Sequence, residues 1–182
     1  MNYLGKSFFA RDTVTVARDL IGAVLIVGEC QGRIVEVEAY TTDAAAHSVT
    51  RRNTAALMTE TFGHIYVYLI YGTSYCLNFT TEDKGVGAVL IRAAEPVSGI
   101  PVMQRRRGTE DLRKLASGPG RLCQAFGIDL GFKGERIGKR LKLKQGAALA
   151  EICASPRIGI SKATGLHWRF YLAGSPFVSR KI

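Results

Sequence analysis

Residues 65–78 constrain the fold most, because two short apolar runs flank a Tyr71-Gly72 turn in the pattern of a β-hairpin with an aromatic tip. Period-two geometry puts Tyr66, Tyr68 and Ile70 on one face of the first strand and Leu69 and Tyr71 on the other, with Tyr71 where the chain reverses. Aromatic residues favour strands, so an ordinary core hairpin explains these tyrosines on this segment alone. An aromatic tip can equally wedge between stacked bases. Charge weighs between the two: 25 Lys plus Arg stand against 15 Asp plus Glu, a formal net charge of +10. An excess of that size favours polyanionic partners, nucleic acid above all.

With 47% hydrophobic and 22% charged residues, the chain has the composition of a globular protein, and residues 1–182 are expected to form one domain with its own core. Cys30, Cys76, Cys123 and Cys153 are widely separated and lack metal-ligand spacing, which predicts reduced thiols in a cytosolic protein. Residues 1–6 have no apolar stretch of the signal-peptide kind. The longest apolar run, 65–71, is too short to cross a bilayer.

Asp12 reads as the N-cap of a helix over 13–21 stopped by Gly22, followed by a strand over 23–27, a turn, and a strand over 33–40 paired antiparallel to the first. Residues 41–63 form a polar connection that holds His47, Arg51, Arg52 and Asn53 and is expected to be a functional loop. A strand over 87–94 precedes a helix that opens at Pro96 and carries Arg105, Arg106 and Arg107. Ser117 as cap, Pro119 in the first turn and Gly127 as stop predict another helix. Its free amides suit a phosphate, or it is simply a capped core helix. Leu141 and Leu143 alternate with Lys142 and Lys144 as a strand with one wet face, and 149–160 and 169–178 supply the last strands. The expected fold is α+β: a single compact domain with a mostly antiparallel curved sheet, flanking helices and a protruding β-hairpin.

The sharpest chemical signal is Arg33-Ile34-Val35-Glu36-Val37-Glu38-Ala39-Tyr40, where alternation sets Glu36, Glu38 and Tyr40 on one face. A solvated sheet face accounts for two carboxylates without catalysis. Glu38 is the better candidate for a reactive group, lying near the strand end beside Tyr40 and the loop of His47, where active sites gather. A carboxylate pressed against aromatic rings loses solvation and better accepts a proton from water, as general-base hydrolysis requires. His47 suits a pocket donor, while His64 and His167 lack an evident partner. The chain contains no Walker loop, dinucleotide fingerprint, HExxH pair, nucleophile elbow or CxxC pair.

These residues, together with Ala46-His47-Ser48, Arg52-Asn53, Cys76-Leu77-Asn78, Leu90-Ile91-Arg92-Ala93, Ser117-Gly118-Pro119, Leu122-Cys123-Gln124-Ala125 and Arg169-Phe170-Tyr171-Leu172-Ala173-Gly174-Ser175-Pro176-Phe177-Val178-Ser179, run nearly end to end. In that order they resemble the alkyladenine (3-methyladenine) DNA glycosylases of the methylpurine-DNA glycosylase family. The resemblance implies that Glu38 activates the attacking water, that Tyr40, His47 and Tyr68 line a pocket for a flipped-out base, and that Tyr71 fills the gap left in the duplex. Asn78 matches a position that crowds the exocyclic amine of guanine; Arg92 matches an arginine near the phosphate of the extruded nucleotide, and Arg52 is a further candidate for a phosphate contact. One departure stands out: the interval 41–46 between Tyr40 and His47 is shorter than the family's usual loop and lacks its Gly-Pro.

Taken together, the residues and the resemblance predict a monofunctional DNA glycosylase of base excision repair. It would hydrolyse the N-glycosidic bond of alkylated or deaminated purines (3-methyladenine, 7-methylguanine, hypoxanthine, ethenoadenine) in double-stranded DNA, leaving an abasic site uncut. No metal and no cofactor are expected, no membrane is involved, and the chain is expected to act as a monomer, in the bacterial cytoplasm at the nucleoid or in a eukaryotic nucleus. The alternative is a non-catalytic damage-binding or architectural module that inserts Tyr71 and does no chemistry.

Overall fold

The computed structural model describes residues 2–47, 52–146 and 151–180, with side chains throughout except at 52–55. A short helix α1, Lys6–Phe9, leads into α2, Thr13–Leu20, which begins as Asp12 predicts: its carboxylate accepts the Thr15 amide at 2.8 Å. Gly22, at φ 89°, takes the left-handed conformation that ends the helix and starts strand β1, Val24–Val27. Strand β2, Cys30–Tyr40, follows after a tight turn and pairs antiparallel with β1.

The tyrosine hairpin is β3, Ile65–Ile70, and β4, Ser74–Thr81. Strand β5, Gly87–Ser98, β6, Leu141–Lys144, β7, Ile152–Ser155, and β8, Arg169–Leu172, complete a curled eight-stranded sheet. Its order is β3-β4-β5-β2-β1-β6, every pair is antiparallel, and β8 joins β2 to β7. This is the α+β domain that the sequence predicts. No described helix is long and apolar enough to cross a membrane.

Strand β2 is the spine. It pairs along its length with β5 on one side, and on the other with β1 at its beginning and β8 over Glu36 to Glu38. Register shifts around Glu36 mark a bulge, which locally bends and twists the strand. The main core lies under this region, built from Phe9, Leu20, Ile34, Val37, Val67, Leu77, Phe79, Ile91, Leu122 and Phe126, all essentially without exposure.

Local expectation and structure part in four places. Residues 41–63 are not a continuous loop, because a helix, α3, runs from Arg52 to Glu60 and packs Met58 against Tyr66 and Ala88. Pro96 does not open a helix: β5 continues through it to Ser98, and α4 is Ile100–Arg107. Proline is accepted there because β4 covers β5 only as far as Leu90, so the lost N–H faces no ladder partner. The helix at Pro119, here α6 (Pro119–Phe126), follows a short α5 (Leu112–Leu115) and is preceded at its cap position by Gly118, not Ser117. Ser117 instead bridges to Ala93 and meets the Arg121 guanidinium. Finally, the last two strands are four residues each, shorter than their apolar runs.

Candidate active site

A cavity of about 650 Å³ opens between the β3–β4 hairpin, the end of β2, the start of α6 and residues 158–160. Tyr66, Tyr68 and Ile70 line it together, as their alternation dictates, while Ile65 and Val67 point into the main core. Met58 and Ala88 close its floor. Gly120 is required on the opposite wall, because a Cβ there would stand 2.9 Å from the Ser74 side chain of the hairpin.

The two glutamates of β2 are fully buried, which overturns the reading of a solvated sheet face. Strands β5 and β8 flank them on both sides, and their charges are met by arginines from elsewhere in the chain. Glu36 accepts hydrogen bonds from Arg169 Nε (2.7 Å), Arg92 Nε (3.2 Å), Ser179 Oγ (2.8 Å) and the Ser179 amide. Glu38 Oε2 accepts the Tyr40 hydroxyl at 2.8 Å and Arg92 NH1 at 3.1 Å, and its Oε1 accepts the Ile158 amide at 2.7 Å. A carboxylate offers about four acceptor positions, so one on Glu38 is left over. Burial alone would push the Arg92 guanidinium down, yet Glu38 and Glu36 outweigh it and hold it above its ordinary value. Two carboxylates and two guanidiniums make a charge-balanced cluster directly behind the cavity wall.

The phenols of Tyr40 and Tyr68 are held in their neutral form. Burial raises the Tyr40 phenol, with the Glu38 charge adding to the effect, and raises Tyr68 and the neighbouring Cys76 thiol in the same way. His47 Nδ1 shares a hydrogen bond with the Tyr66 hydroxyl at 2.9 Å, and its ring lies edge-on to Tyr68 with centroids 4.4 Å apart. The shortened loop is ordered by Asp43, whose carboxylate accepts the Ala45 amide and a two-pronged ion pair from Arg157. Asn78 donates its amide hydrogens to the Tyr66 and Cys76 carbonyls, which leaves its own carbonyl oxygen as its polar offering to the cavity it lines.

Tyr71 stands at the mouth, 87% exposed, with a left-handed φ of 54°. Gly72 follows at φ 70° and the Thr73 amide bonds back to the Ile70 carbonyl, so the tip is a type I′ turn. A bulky residue is costly in that conformation, and such strain gathers at functional sites.

The structure thus brings Tyr40, His47, Tyr68, Tyr71, Asn78 and Arg92 around one cavity and sets Glu38 behind Tyr40 and Arg92. The Arg52 side chain lies outside the described residues. Local sequence patterns did not single out Ile158 and Ser179, which reach Glu38 and Glu36 from far along the chain, Arg157, which reaches Asp43 and the Ala39 carbonyl, or Arg121 and Arg180 at the rim. The period-two spacing of Tyr66 with Tyr68 was the one signal that could have added Tyr66 to the pocket. Among the described residues, no three His, Cys, Asp or Glu side chains gather as they would around a metal ion.

An aromatic slot with a carboxylate set behind its wall, on a chain of net charge +10, is the arrangement of an enzyme that handles a planar ring attached to a polyanion. The family model of the methylpurine-DNA glycosylases matches residues 7–176. A protein of Rhodopseudomonas palustris described as a candidate 3-methyladenine DNA glycosylase is 51% identical over 97% of this chain and 90% of its own length. Relatives described in the same way from Methanoculleus marisnigri and Nitrosospira multiformis are each 48% identical, over 98% and 94% of this chain and 99% and 91% of theirs. The chain belongs to the methylpurine-DNA glycosylase family and is a DNA N-glycosylase of base excision repair.

Proposed function

We propose that the chain excises alkylated and deaminated purines, of the 3-methyladenine, 7-methylguanine, hypoxanthine and ethenoadenine class, from duplex DNA by direct hydrolysis. The observation that carries this is the placement of Glu38: a buried carboxylate with one acceptor position unused among the described residues, immediately behind an aromatic cavity of about 650 Å³, roomy enough for a nucleoside. Base chemistry inside a duplex requires extrusion, and unstacking costs a few kcal/mol, less for a damaged or mispaired base. Tyr71 occupies the vacated place in the stack. Tyr40 and Tyr68 then stack on the everted base, favouring the electron-poor ring of a cationic methylated purine. Asn78, fixed by two backbone carbonyls, crowds the exocyclic amine of guanine.

Glu38 has no exposed surface in the free chain, so the attacking water has to reach its remaining acceptor position past Tyr40, Arg92 and Ile158. Glu38 draws a proton from this water while its charge stabilises the oxocarbenium-like sugar. Arg92 holds Glu38 in place and presents its remaining edge to the cavity, the side from which the nucleotide's phosphate approaches. No lysine lines the cavity among the described residues, and the product of direct hydrolysis is an intact abasic strand.

Glu38→Gln tests the assignment. Duplexes each carrying one lesion are incubated with enzyme in chelator, and abasic sites are cleaved with alkali. Base release should fall by about 10²–10⁴-fold, the range for loss of a general base, while lesion-duplex affinity stays within a few-fold of wild type. Full activity in Glu38→Gln would overturn the role of Glu38. Tight binding without release by the wild-type chain would favour the non-catalytic module instead. A covalent adduct trapped by borohydride would contradict direct hydrolysis.

A further inference from the structure

Arg157 is the least expected residue near the site. Its side chain has no exposure, although it carries a full charge, and it does not itself line the cavity. NH1 and NH2 grip the Asp43 carboxylate at 3.1 and 2.7 Å, and NH1 also donates to the Ala39 carbonyl at 2.8 Å. Its guanidinium carbon lies 4.7 Å from the centre of the Tyr40 ring and 5.3 Å from that of Trp168, so the cation is sandwiched between two aromatic faces. The Nε is buried without a partner among the described residues. Burying an arginine with an unpaired N–H costs stability, and well-packed apolar residues would serve the fold as well.

Three parts of the proposed machinery converge on this side chain. The next residue, Ile158, donates its amide to Glu38 Oε1. Tyr40, stacked on the guanidinium, donates its hydroxyl to Glu38 Oε2. Asp43, held by the fork, organises the short loop that delivers His47, through bonds to the Ala45 amide and, by its backbone carbonyl, to the Ala46 amide. Arg157 therefore fixes both oxygens of the carboxylate and one end of the aromatic wall from a single position behind them.

We propose that Arg157 is a positioning residue for base excision, which holds Glu38, Tyr40 and the His47 loop in their reactive arrangement without touching the nucleotide. This rests on the assignment of Glu38 as the general base. Lysine cannot reproduce the function: it keeps the charge but loses both the planar stack and the two-pronged grip.

Arg157→Lys, Asp43→Asn and Glu38→Gln are compared with wild type on a duplex carrying the lesion that wild type releases fastest. Three quantities are read: the single-turnover rate at saturating enzyme, the duplex dissociation constant and the melting temperature. Trp168, the sole tryptophan, reports the sandwich through its emission. In Arg157→Lys the saturating rate should fall by at least about tenfold, since small displacements of reacting groups cost up to about 10²-fold. Duplex affinity should stay within threefold and the tryptophan emission should shift, while the melting temperature falls no further than in Asp43→Asn. Asp43→Asn should show a weaker effect in the same direction and serves if the lysine variant does not fold. A wild-type rate in a folded Arg157→Lys, or parallel losses of rate, affinity and melting temperature, would overturn the proposal, as would failure of both variants to fold. A Glu38→Gln enzyme as fast as wild type would remove the base assignment and this proposal together. An inert Glu38→Gln beside a fully active Arg157→Lys would remove the role of Arg157 alone.

Discussion

Tyr71 sets a trade between stability and DNA engagement that can be measured. It is 87% exposed and sits at φ 54°, so it buries little apolar surface in exchange for a left-handed backbone. That conformation costs an ordinary L-residue about 1–2 kcal/mol, whereas asparagine tolerates it by local hydrogen bonding. Tyr71→Asn should therefore stabilise the free protein by about 1 kcal/mol. For a domain of this size such a gain raises the melting temperature by about 2–4 °C. The same change removes the ring proposed to fill the duplex, and base–aromatic stacking contributes about 1–3 kcal/mol, so affinity for lesion-bearing duplex should fall by roughly 5- to 150-fold. Tyr71→Ala separates the effects, since it discards the ring but keeps a Cβ in the left-handed position: affinity drops as before with no gain in melting temperature. Thermal melts of the free variants and fluorescence-anisotropy titrations with labelled duplex give both numbers. A lower melting temperature in Tyr71→Asn, or unchanged affinity in both variants, would refute the reasoning.

Other substitutions probe the buried charges and the pocket. Arg169→Met leaves Glu36 in a buried site with Arg92 and Ser179 alone, which should cost about 3–5 kcal/mol and be read as a large fall in denaturation midpoint; a loss near zero would show the cluster to be dispensable to the fold. Asn78→Ser should increase release of undamaged guanine relative to the lesion in the alkali-cleavage assay, and unaltered discrimination would place the steric gate elsewhere. Burial alone would raise the Asp43 carboxyl, but the Arg157 grip and the Ala45 amide outweigh it and hold the group below its ordinary value. A depressed folded-state value means that the ion pair stabilises the protein above the usual aspartate range and ceases to do so as pH falls through the lowered value. The melting-temperature gap between wild type and Asp43→Asn should accordingly be widest near neutrality and shrink on acidification below pH ~4; a gap independent of pH would contradict this.

Local patterns carried much of the fold. The Asp12 cap, the β3–β4 hairpin and the alternating leucines of β6 formed where short-range geometry placed them, and β1 pairs antiparallel with β2 as read, although β2 begins at Cys30 and not at Arg33. The shared side of Glu36, Glu38 and Tyr40 was also legible, and the common contact with Arg92 and the Tyr40–Glu38 bond agree with it. What periodicity could not reveal was the setting of that side, since an alternating strand reads the same whether its polar face meets water or buried arginines. The partners lie 54 positions away at Arg92, 120 at Ile158 and 133 at Arg169, distances over which no local rule operates. Helix α3 was missed for a related reason: its Met58 is fixed by tertiary contact with Tyr66 and Ala88 more than by helix propensity.

Glu36 takes its last hydrogen bonds from Ser179, 143 positions downstream. A nascent chain that has emerged only as far as the hairpin therefore holds strand β2 with two carboxylates and none of the C-terminal donors that make their burial tolerable. Closure of the sheet around β2 draws on Arg169 and Ser179, so a ribosome stalled before residue 169 should carry a chain still open at its centre.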